Sequence, residues 1–280
     1  MVATPIGNLA DISLRAVHVL GLVQAVACED TRVAATLLRH LGLHSPLLAL
    51  HAHNEHEAAA KVLARLASGE SVAYISDAGT PAVSDPGAAL VAQAAAAGHT
   101  VVPVPGASSA LAALSVAGDI GGKHGGSGFH FVGFLPAKGG ERQAALAAVL
   151  ASPATQVLFE APHRIAALAA ELAGATPMRR ITLCRELTKQ FETIVTRPAA
   201  ELPGWLAEDD NRLRGEFVLV LHAQAAIQES GLPAETLRTL RLLLRDLPLK
   251  QAVTLAAEIT GAPRNALYER ALAERGAAEG

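Results

Sequence analysis

Two hydrophobic patterns alternate along the first 117 residues. Short apolar runs predict buried strands, and longer stretches with apolar residues at helical spacing predict helices between them. Strands that alternate with helices are typical of a mostly parallel sheet covered by helices, so we predict an N-terminal α/β domain over residues 1–117. The predicted strands cover residues 1–3, 26–28, 47–50, 72–75 and 101–104, and the predicted helices cover residues 14–23, 33–41, 57–66, 87–97 and 108–116.

A second α/β pattern follows a glycine-rich break at residues 118–128. The break contains Lys123 but lacks the glycine spacing of a phosphate-binding loop, so we interpret it as a linker. Residues 129–224 form the second predicted α/β domain, and the excess of strands toward its end predicts a mixed sheet. Its predicted strands cover residues 131–135, 156–159, 181–184, 191–196 and 217–221, and its predicted helices cover residues 141–150 and 165–173.

The C-terminal tail, residues 230–280, has only helical periodicity. Predicted helices at 249–259 and 264–275 follow one at 233–245, and a short turn with Gly261 joins the last two. A helix, a short glycine turn and a second helix resemble a helix-turn-helix. Contact with nucleic acid and simple packing both explain this arrangement, so both interpretations stay open.

Composition narrows the class of protein. The 280 residues are 51% hydrophobic and 3% aromatic, which predicts about two domains with cores of Ala, Leu and Val. A formal charge of −3 excludes overall cationic attraction to nucleic acid but leaves a local basic groove open. Cys28 and Cys184 lie in apolar runs without a CxxC pattern, which predicts reduced, buried thiols. We see no membrane-spanning stretch and no signal peptide, so we expect a cytoplasmic protein.

Polar turns follow several predicted strands of the first domain. The sequence SDAGTP at residues 76–81 contains Asp77, Ala78, Gly79 and Thr80, a combination that suits a ligand-binding turn but also a plain turn. The glycine of the turn at Ile6 and Gly7 permits close approach of a ligand. Either Ser108 or Ser109 is predicted to cap the helix that follows, where free amides bind anions.

Acids, histidines and an arginine follow the second and third predicted strands. Asp30 is predicted to cap the next helix, while Glu29 and Arg32 fit the wall of a polar cleft. The cluster with His53 and Glu55 is open to metal binding, but no remote ligand completes a shell. We therefore predict no metal and a polar loop that faces the substrate.

The second domain also places polar residues at strand ends. Phe159, Glu160 and Ala161 end one predicted strand, and Lys189 follows another. A surface ion pair with Glu186 is the alternative explanation for Lys189. Because ligands in open α/β sheets collect beyond the carboxyl ends of the strands, these turns together predict a polar cleft between two α/β domains.

The chain resembles a known enzyme family along nearly its whole length. The matching segments are TPIGNLADISLRA, EDTR, HAHNE, SDAGTPAVSDPG, VPGASSA, GFLPAKG, FEAPHR, RELTKQFET and LPLKQAVTLAAEITG. They resemble the tetrapyrrole methylase-like, class III family of S-adenosylmethionine-dependent methyltransferases, and in particular its members that act on ribosomal RNA. The resemblance implies two α/β domains with the cofactor in the cleft between them, a small C-terminal helical domain and a homodimer.

The resemblance also implies an activity and a set of residues. The implied reaction is 2′-O-methylation of the ribose of a cytidine in 16S rRNA, within the small ribosomal subunit, with S-adenosyl-L-methionine as methyl donor. Methylation of a small molecule such as a tetrapyrrole is the alternative, and a non-catalytic binding protein is a third. The implied cofactor-binding residues are Ile6, Gly7, Asp77, Ala78, Gly79, Thr80, Ser108, Ser109, Phe159, Glu160 and Ala161.

Candidate catalytic residues follow from the chemistry of that reaction. A ribose hydroxyl is a poor nucleophile, so a nearby base or a cation that stabilises the developing alkoxide would help. The candidates are Lys189, Glu29, Arg32, His53 and Glu55. We expect Lys189 to orient the hydroxyl and Glu29 or Glu55 to accept its proton. Candidate contacts to RNA phosphates are Arg179, Arg180, Arg212, Arg214, Arg238, Arg241 and Arg245.

Overall fold

The computed structural model describes residues 1–51, 55–84, 86–119, 128–224 and 234–276. The chain divides into two compact units, Met1–Gln224 and Ala225–Gly280. The first unit contains two separate β-sheets. We call residues 1–119 the first lobe and residues 128–224 the second lobe, and each lobe contains one of these sheets. Most of the predicted linker, residues 120–127, lies outside the described residues.

The first lobe is built on a parallel sheet, as the alternating pattern predicts. Its strands β1 to β3 lie in the order β2-β1-β3, and both pairs are parallel. Leu20, Val26, Leu38 and Ile75 are buried in its core. The elements, in chain order, are α1 (Leu14–Leu22), β1 (Ala25–Cys28), α2 (Thr31–His40), β2 (Leu47–Ala49), α3 (Glu55–Ala67), β3 (Val72–Ile75), α4 (Ala88–Ala96) and α5 (Ser109–Ala117).

Two predicted strands of the first lobe, residues 1–3 and 101–104, are not regular strands. They form a single parallel bridge between Val2 and Val104 beside β3. The Val2 N–H donates to the Tyr74 carbonyl at 2.9 Å, and the Val104 N–H donates to the Met1 carbonyl at 2.8 Å. Pro103 has no N–H to donate, which limits the ladder to these short contacts. The predictions of strands at residues 1–3 and 101–104 were therefore wrong beyond this single bridge.

The second lobe has a mixed five-stranded sheet in the order β4-β5-β8-β6-β7. Strands β4 and β5 are parallel, and the other pairs are antiparallel, as the strand-rich pattern predicts. Leu158, Leu183 and Leu219 are fully buried in its core. The elements are β4 (Phe129–Phe134), α6 (Gly139–Ala151), β5 (Thr155–Glu160), α7 (Ile165–Ala175), β6 (Arg180–Arg185), β7 (Thr193–Pro198), α8 (Leu202–Ala207) and β8 (Phe217–Leu221).

Helix α8 is absent from the sequence-based prediction. Its six residues include Pro203 and Gly204, which usually interrupt a helix. Pro203 lies in the first turn, where a proline costs no hydrogen bond. Trp205 and its neighbour Leu206 are buried against the core of the second lobe. Tertiary packing therefore stabilises a helix that is too short for periodicity to reveal.

Helix α5 comes from the first lobe but packs on the sheet of the second. Ala110, Ala113 and Ala117 of this helix pack with Val157 and Val220 on that sheet. Alanine allows helix and sheet to approach closely, because no long side chain separates them. Just after the helix, the Asp119 carboxylate accepts hydrogen bonds from the Thr155 hydroxyl and the Ala223 N–H. These contacts hold the two lobes together at the start of the predicted linker.

The second unit is a bundle of three helices. They are α9 (Ala234–Asp246), α10 (Leu249–Thr260) and α11 (Arg264–Gly276), close to the predicted bounds. Leu240, Val253 and Leu267 are buried where the three helices meet. Gly261 ends α10 with a φ of +69°, a conformation that favours glycine. Residues 230–233 and 277–280 of the predicted tail lie outside the described residues.

Two further expectations concern the thiols and the membrane. Both cysteines are free and buried, Cys28 in β1 and Cys184 in β6, as predicted from their apolar surroundings. Burial raises the pKa of Cys28 to about 11, with smaller contributions from Asp77 and Asp30. Burial likewise raises the pKa of Cys184 to about 12. Within the described ranges, no helix has the length and apolar character that crossing a bilayer requires.

Candidate active site in the cleft between the two sheets

A pocket of about 350 Å³ lies between the two lobes. Nine of the eleven predicted cofactor-binding residues line it, and their role in binding stays a prediction. Gly7 and Asp77 are not among its lining residues. The nine are Ile6, Ala78, Gly79, Thr80, Ser108, Ser109, Phe159, Glu160 and Ala161.

The first-lobe wall consists of small residues on turns that are fixed to one another. The Thr80 hydroxyl donates to the Ala107 carbonyl at 3.0 Å, which joins the turn after β3 to the loop before α5. The Ser76 hydroxyl donates to the Ala78 carbonyl at 3.2 Å. Gly79 has a φ of +79°, and a Cβ there would lie 3.3 Å from Ile6. The SDAGTP turn is therefore preformed and leaves room for a ligand beside the backbone.

The start of α5 faces the same pocket. Ser108 occupies the capping position, but its side chain makes no capping hydrogen bond in this part of the structure. The prediction of the helix start was correct, and the prediction that Ser108 caps the helix through its side chain was wrong. Because the first turn of a helix presents unpaired N–H groups, this end of α5 suits a polar or anionic part of a ligand.

The second-lobe wall is aromatic and apolar. Phe159 packs edge-to-face on Phe134, with ring centroids 5.6 Å apart, and on Phe131, at 5.1 Å. Leu187 and Val218 continue this wall. A flat apolar ring of a ligand fits between such side chains and the small residues of the first lobe.

Glu160 lines the pocket but is held by two arginines behind it. Its side chain is fully buried, 3.0 Å from Arg164 Nε and 3.8 Å from Arg142 Nη1. The guanidinium groups also donate to the carbonyls of Leu135 and Pro136, on the loop after Phe134. Through its two arginines, Glu160 therefore anchors the loop that follows the aromatic wall. Its predicted contact with the cofactor stays a prediction.

The predicted residues Glu29 and Arg32 lie next to the turn that contains Asp77. The Asp30 N–H donates to Asp77 Oδ1 at 3.0 Å, and the Asp30 carboxylate caps α2 as predicted. Burial and the charge of Asp77 raise the pKa of Glu29, although the Asp77 N–H partly opposes them. Glu29 thus holds a proton more readily than an ordinary glutamate.

Arg32 is not among the residues that line the pocket. Its side chain is 89% exposed and forms an ion pair with Asp30 at 2.5 Å. Hydrogen bonds from Arg32 lower the pKa of Asp30 to about 2. Arg32 therefore neutralises one acid of this cluster at the surface.

Lys189 lies in a compact loop between β6 and β7. Its Nζ is 2.9 Å from Glu186 Oε1 and 3.1 Å from Glu216 Oε2. Burial alone would lower the pKa of Lys189, but its hydrogen bonds to Glu186 and Glu216 raise it. Lys189 is therefore a cation at neutral pH, which suits the stabilisation of negative charge and excludes it as a general base.

Gly7 makes the close approach of this loop possible. A Cβ on Gly7 would lie 2.4 Å from Lys189 Cγ and 2.8 Å from Thr188 Oγ1, so only glycine fits there. Glu186 and Thr188 have φ values of +52° and +66°, uncommon for residues with side chains. Gly7 thus serves a contact between the lobes, and its role in cofactor binding stays a prediction.

Three further candidates contribute no described side chain to the pocket. His53 lies outside the described residues, and Glu55 is the first residue of α3, where only the backbone is described. Across the described ranges, no cluster of three His, Cys, Asp or Glu side chains could hold a metal ion. Arg179 was wrong as an RNA contact, because it is buried and donates to the His222 carbonyl at 2.9 Å.

Several residues of the pocket wall were not among the predicted site residues. Phe134 and Glu216 are examples, and both line the pocket. Phe134 lies in the GFLPAKG segment at the end of β4, so its position was detectable. Glu216 precedes β8, which runs antiparallel to β5. The start of an antiparallel strand lies at the same edge as the carboxyl ends of its neighbours, a position that the strand-end rule does not cover.

The apolar and polar residues that line the pocket match the chemical groups of S-adenosylmethionine. An adenine ring needs a flat apolar slot, such as the one between Phe159 and the small turn residues. Ribose and amino acid groups need hydroxyls and free amides, which Thr80, Ser108 and the start of α5 supply. The donor set therefore agrees with the expected cofactor.

Comparisons with known proteins agree with this geometry. A family model described as "Tetrapyrrole (Corrin/Porphyrin) Methylases" matches residues 1–203, and one described as "RsmI C-terminal HTH domain" matches residues 230–275. A solved structure of uroporphyrin-III C-methyltransferase from Thermus thermophilus, complexed with S-adenosyl homocysteine, is 22% identical, with a TM-score of 0.53. The similarity covers 79% of this chain and 95% of that one, and it supports the fold.

Relatives of similar length give the narrower placement. A Pseudomonas aeruginosa protein named ribosomal RNA small subunit methyltransferase I is 51% identical over 99% of this chain and 97% of its own length. The Escherichia coli O157:H7 protein of the same name is 48% identical over 99% of this chain and 95% of its own length. The chain therefore belongs to the tetrapyrrole methylase family and, within it, to the ribosomal RNA small subunit methyltransferase I group.

Proposed function

We propose that this chain is an S-adenosylmethionine-dependent enzyme that methylates 16S rRNA of the small ribosomal subunit, at the ribose 2′-hydroxyl of a cytidine. The observation that carries the proposal is the pocket between the two sheets, with a small-residue wall on one side and an aromatic wall on the other. The names of relatives that match almost the full chain support the RNA substrate over a tetrapyrrole.

The residues of the pocket divide the cofactor between them. Ala78, Gly79 and Thr80, with Ser108 at the start of α5, would hold its polar groups, and Phe159 would pack on its ring. S-adenosylmethionine supplies, when bound, a methyl group on a positively charged sulfur. Because that methyl group is already electrophilic, the residues around it need only orient the acceptor and remove its proton.

The candidate catalytic residues have distinct electrostatic states. Lys189 keeps its positive charge and would stabilise negative charge on the acceptor oxygen as the proton leaves. Glu29, with its raised pKa, is the first candidate for proton acceptor on the first lobe. Glu55 and His53 stay candidates on the following segment, and Arg32 would act only through Asp30.

RNA contact would come from exposed arginines on the helical unit. Arg238, Arg241 and Arg245 lie three and four residues apart on α9 and are exposed, so they share one face of the helix. Such a row would bind successive phosphates. We also propose a homodimer that acts in the cytoplasm, where ribosomal subunits are modified, and sedimentation of the purified protein would test the dimer.

One labelling experiment tests the proposed function. The protein is incubated with methyl-labelled S-adenosylmethionine and small ribosomal subunits from a strain that lacks the modification, and the product is mapped by nuclease digestion and mass spectrometry. We expect one labelled 2′-O-methylcytidine in 16S rRNA. Label in an added tetrapyrrole and none in RNA would support the small-molecule alternative, and no label in either would support a binding protein.

A further inference from the structure

We infer that Glu216 accepts the proton of the acceptor hydroxyl during methyl transfer, a role that no sequence motif assigned to it. The inference rests on the proposed function. Among the described residues of the pocket wall, the titratable side chains are Glu160 and Glu216. A proton acceptor must reach the acceptor oxygen within hydrogen-bond distance, so it belongs among the residues that line the pocket.

Glu160 is unsuited to this role. Its side chain is fully buried behind the wall and is flanked by the guanidinium groups of Arg142 and Arg164. Protonation of Glu160 would leave Arg164 without its carboxylate partner and Arg142 with Glu171 alone, which is costly at a fully buried carboxylate. The structure therefore reserves this carboxylate for holding the loop after β4.

Glu216 has the opposite environment. Its side chain is 78% exposed, and its carboxylate has a single ion-pair partner among the described residues, Lys189 at 3.1 Å. Since Lys189 is also held by Glu186 at 2.9 Å, it can stay in place when Glu216 takes up a proton. The second oxygen of Glu216 is available to a substrate that enters the pocket.

The backbone around Glu216 is fixed more firmly than its exposure implies. The Glu216 N–H donates to Glu186 Oε1 at 2.9 Å, and the Glu186 N–H donates to the Glu216 carbonyl at 3.0 Å. Gly215 is required for this contact, because a Cβ there would lie 2.5 Å from Glu186 Cγ. Glu186 is therefore a positioning residue that holds Lys189 beside Glu216, and Glu216 lines the pocket.

The step balances without any other reactant. The acceptor oxygen forms a bond to the methyl carbon, and the carbon–sulfur bond breaks with its electron pair staying on sulfur. The hydroxyl proton passes to a carboxylate oxygen of Glu216 and later to water. Lys189, 3.1 Å from Glu216, stabilises the negative charge that develops on the acceptor oxygen.

The test compares three variants at Glu216 with a distant control. Glu216→Gln keeps the shape and removes the base, Glu216→Ala removes both, and Glu216→Asp keeps a carboxylate. Glu208→Gln is the control, since Glu208 is also exposed, at 64%, and is paired with an arginine of the second lobe. The readouts are turnover on small subunits that lack the modification, its pH profile, and cofactor affinity by calorimetry.

We expect turnover of Glu216→Gln to fall on the order of 100-fold, with cofactor affinity unchanged and the acid limb of the pH profile lost. Glu216→Asp should recover part of the rate, and Glu208→Gln should match the unmodified protein. Turnover of Glu216→Gln within twofold of normal, or a loss confined to cofactor affinity, overturns the inference. A loss in Glu29→Gln without one in Glu216→Gln also overturns it. No methylation of subunits by the unmodified protein would instead refute the proposed function.

Discussion

The two lobes build their sides of the pocket from different materials. The first lobe contributes backbone and small side chains on turns such as the one at Gly79, fixed by hydrogen bonds between loops. The second lobe contributes aromatic rings and charged networks, among them Glu160 with its arginines and Lys189 with its glutamates. In the proposed mechanism, the first lobe would shape the ligand site and the second lobe would supply charge for the reaction.

The largest expected effect comes from the charged network of the second lobe. Glu160→Ala should lower the free energy of unfolding by about 3 kcal/mol, because it leaves the largely buried guanidinium of Arg164 without its carboxylate partner, while Arg142 keeps its ion pair with Glu171. Denaturant unfolding followed by circular dichroism measures this change. Glu201→Ala, which breaks an exposed pair with Arg197, should cost less than about 1 kcal/mol. Equal, small decreases in the free energy of unfolding of both variants would contradict the structural role of Glu160.

The next effect concerns charge at the pocket edge. Lys189→Ala should reduce turnover on the order of 100-fold and leave cofactor affinity nearly unchanged, because in the proposed mechanism the ammonium group stabilises negative charge on the acceptor oxygen. Single-turnover labelling and calorimetry separate the two quantities. Lys61→Ala, on the surface of α3 and paired with Glu57, is the matched control. Unchanged turnover in Lys189→Ala would show that the second lobe does not supply this charge.

A smaller effect is expected on the first-lobe side. Gly79→Ala places a Cβ 3.3 Å from Ile6 in a left-handed conformation, so cofactor affinity should fall on the order of tenfold. Gly42→Ala has a similar φ of +69° and no neighbour within 4 Å. Both variants should lose about 1 kcal/mol of stability, but only Gly79→Ala should lose affinity. Equal affinities by calorimetry would contradict a shaping role for the first lobe.

The smallest expected effect concerns the two buried thiols, one in each sheet, which should not react with a thiol reagent. Burial raises the pKa of Cys28 to about 11 and that of Cys184 to about 12, so neither forms a reactive thiolate at pH 8. A thiol reagent should modify neither cysteine in the native chain and both after unfolding in guanidinium. The raised values stabilise the fold below the unfolded pKa near 9, and this contribution disappears as the pH rises through 11–12. Rapid modification of Cys28 alone would indicate that the first sheet opens.

Much of the fold was predictable because it follows local periodicity. The helices and most strands were located within a few residues, and the parallel and mixed characters of the two sheets followed from their order. The prediction of a strand at residues 101–104 was wrong because Pro103 has no N–H group for a ladder hydrogen bond, although the segment is apolar. Helix α8 was not predicted because its stability comes from the burial of Trp205, which no local pattern reveals.

The site was predictable only where it obeys the rule of parallel strands. The turn at residues 78–80 follows β3, and the start of α5 follows the short bridge at Val104, so their placement at the pocket was expected. The roles of Gly7 and Glu216 depend on contacts between distant segments, which a single sequence does not encode locally. The sequence indicated Lys189 and its ion pair with Glu186, which the structure contains, but not the second pair with Glu216.

Trp205 carries a practical consequence for work on this protein. It is the single tryptophan of the chain, is buried in the core of the second lobe, and has the Arg212 guanidinium 4.4 Å from its ring centroid. Its fluorescence emission is therefore an intrinsic optical reporter of one lobe, and a red shift during melting marks the opening of the lobe that carries the charged network.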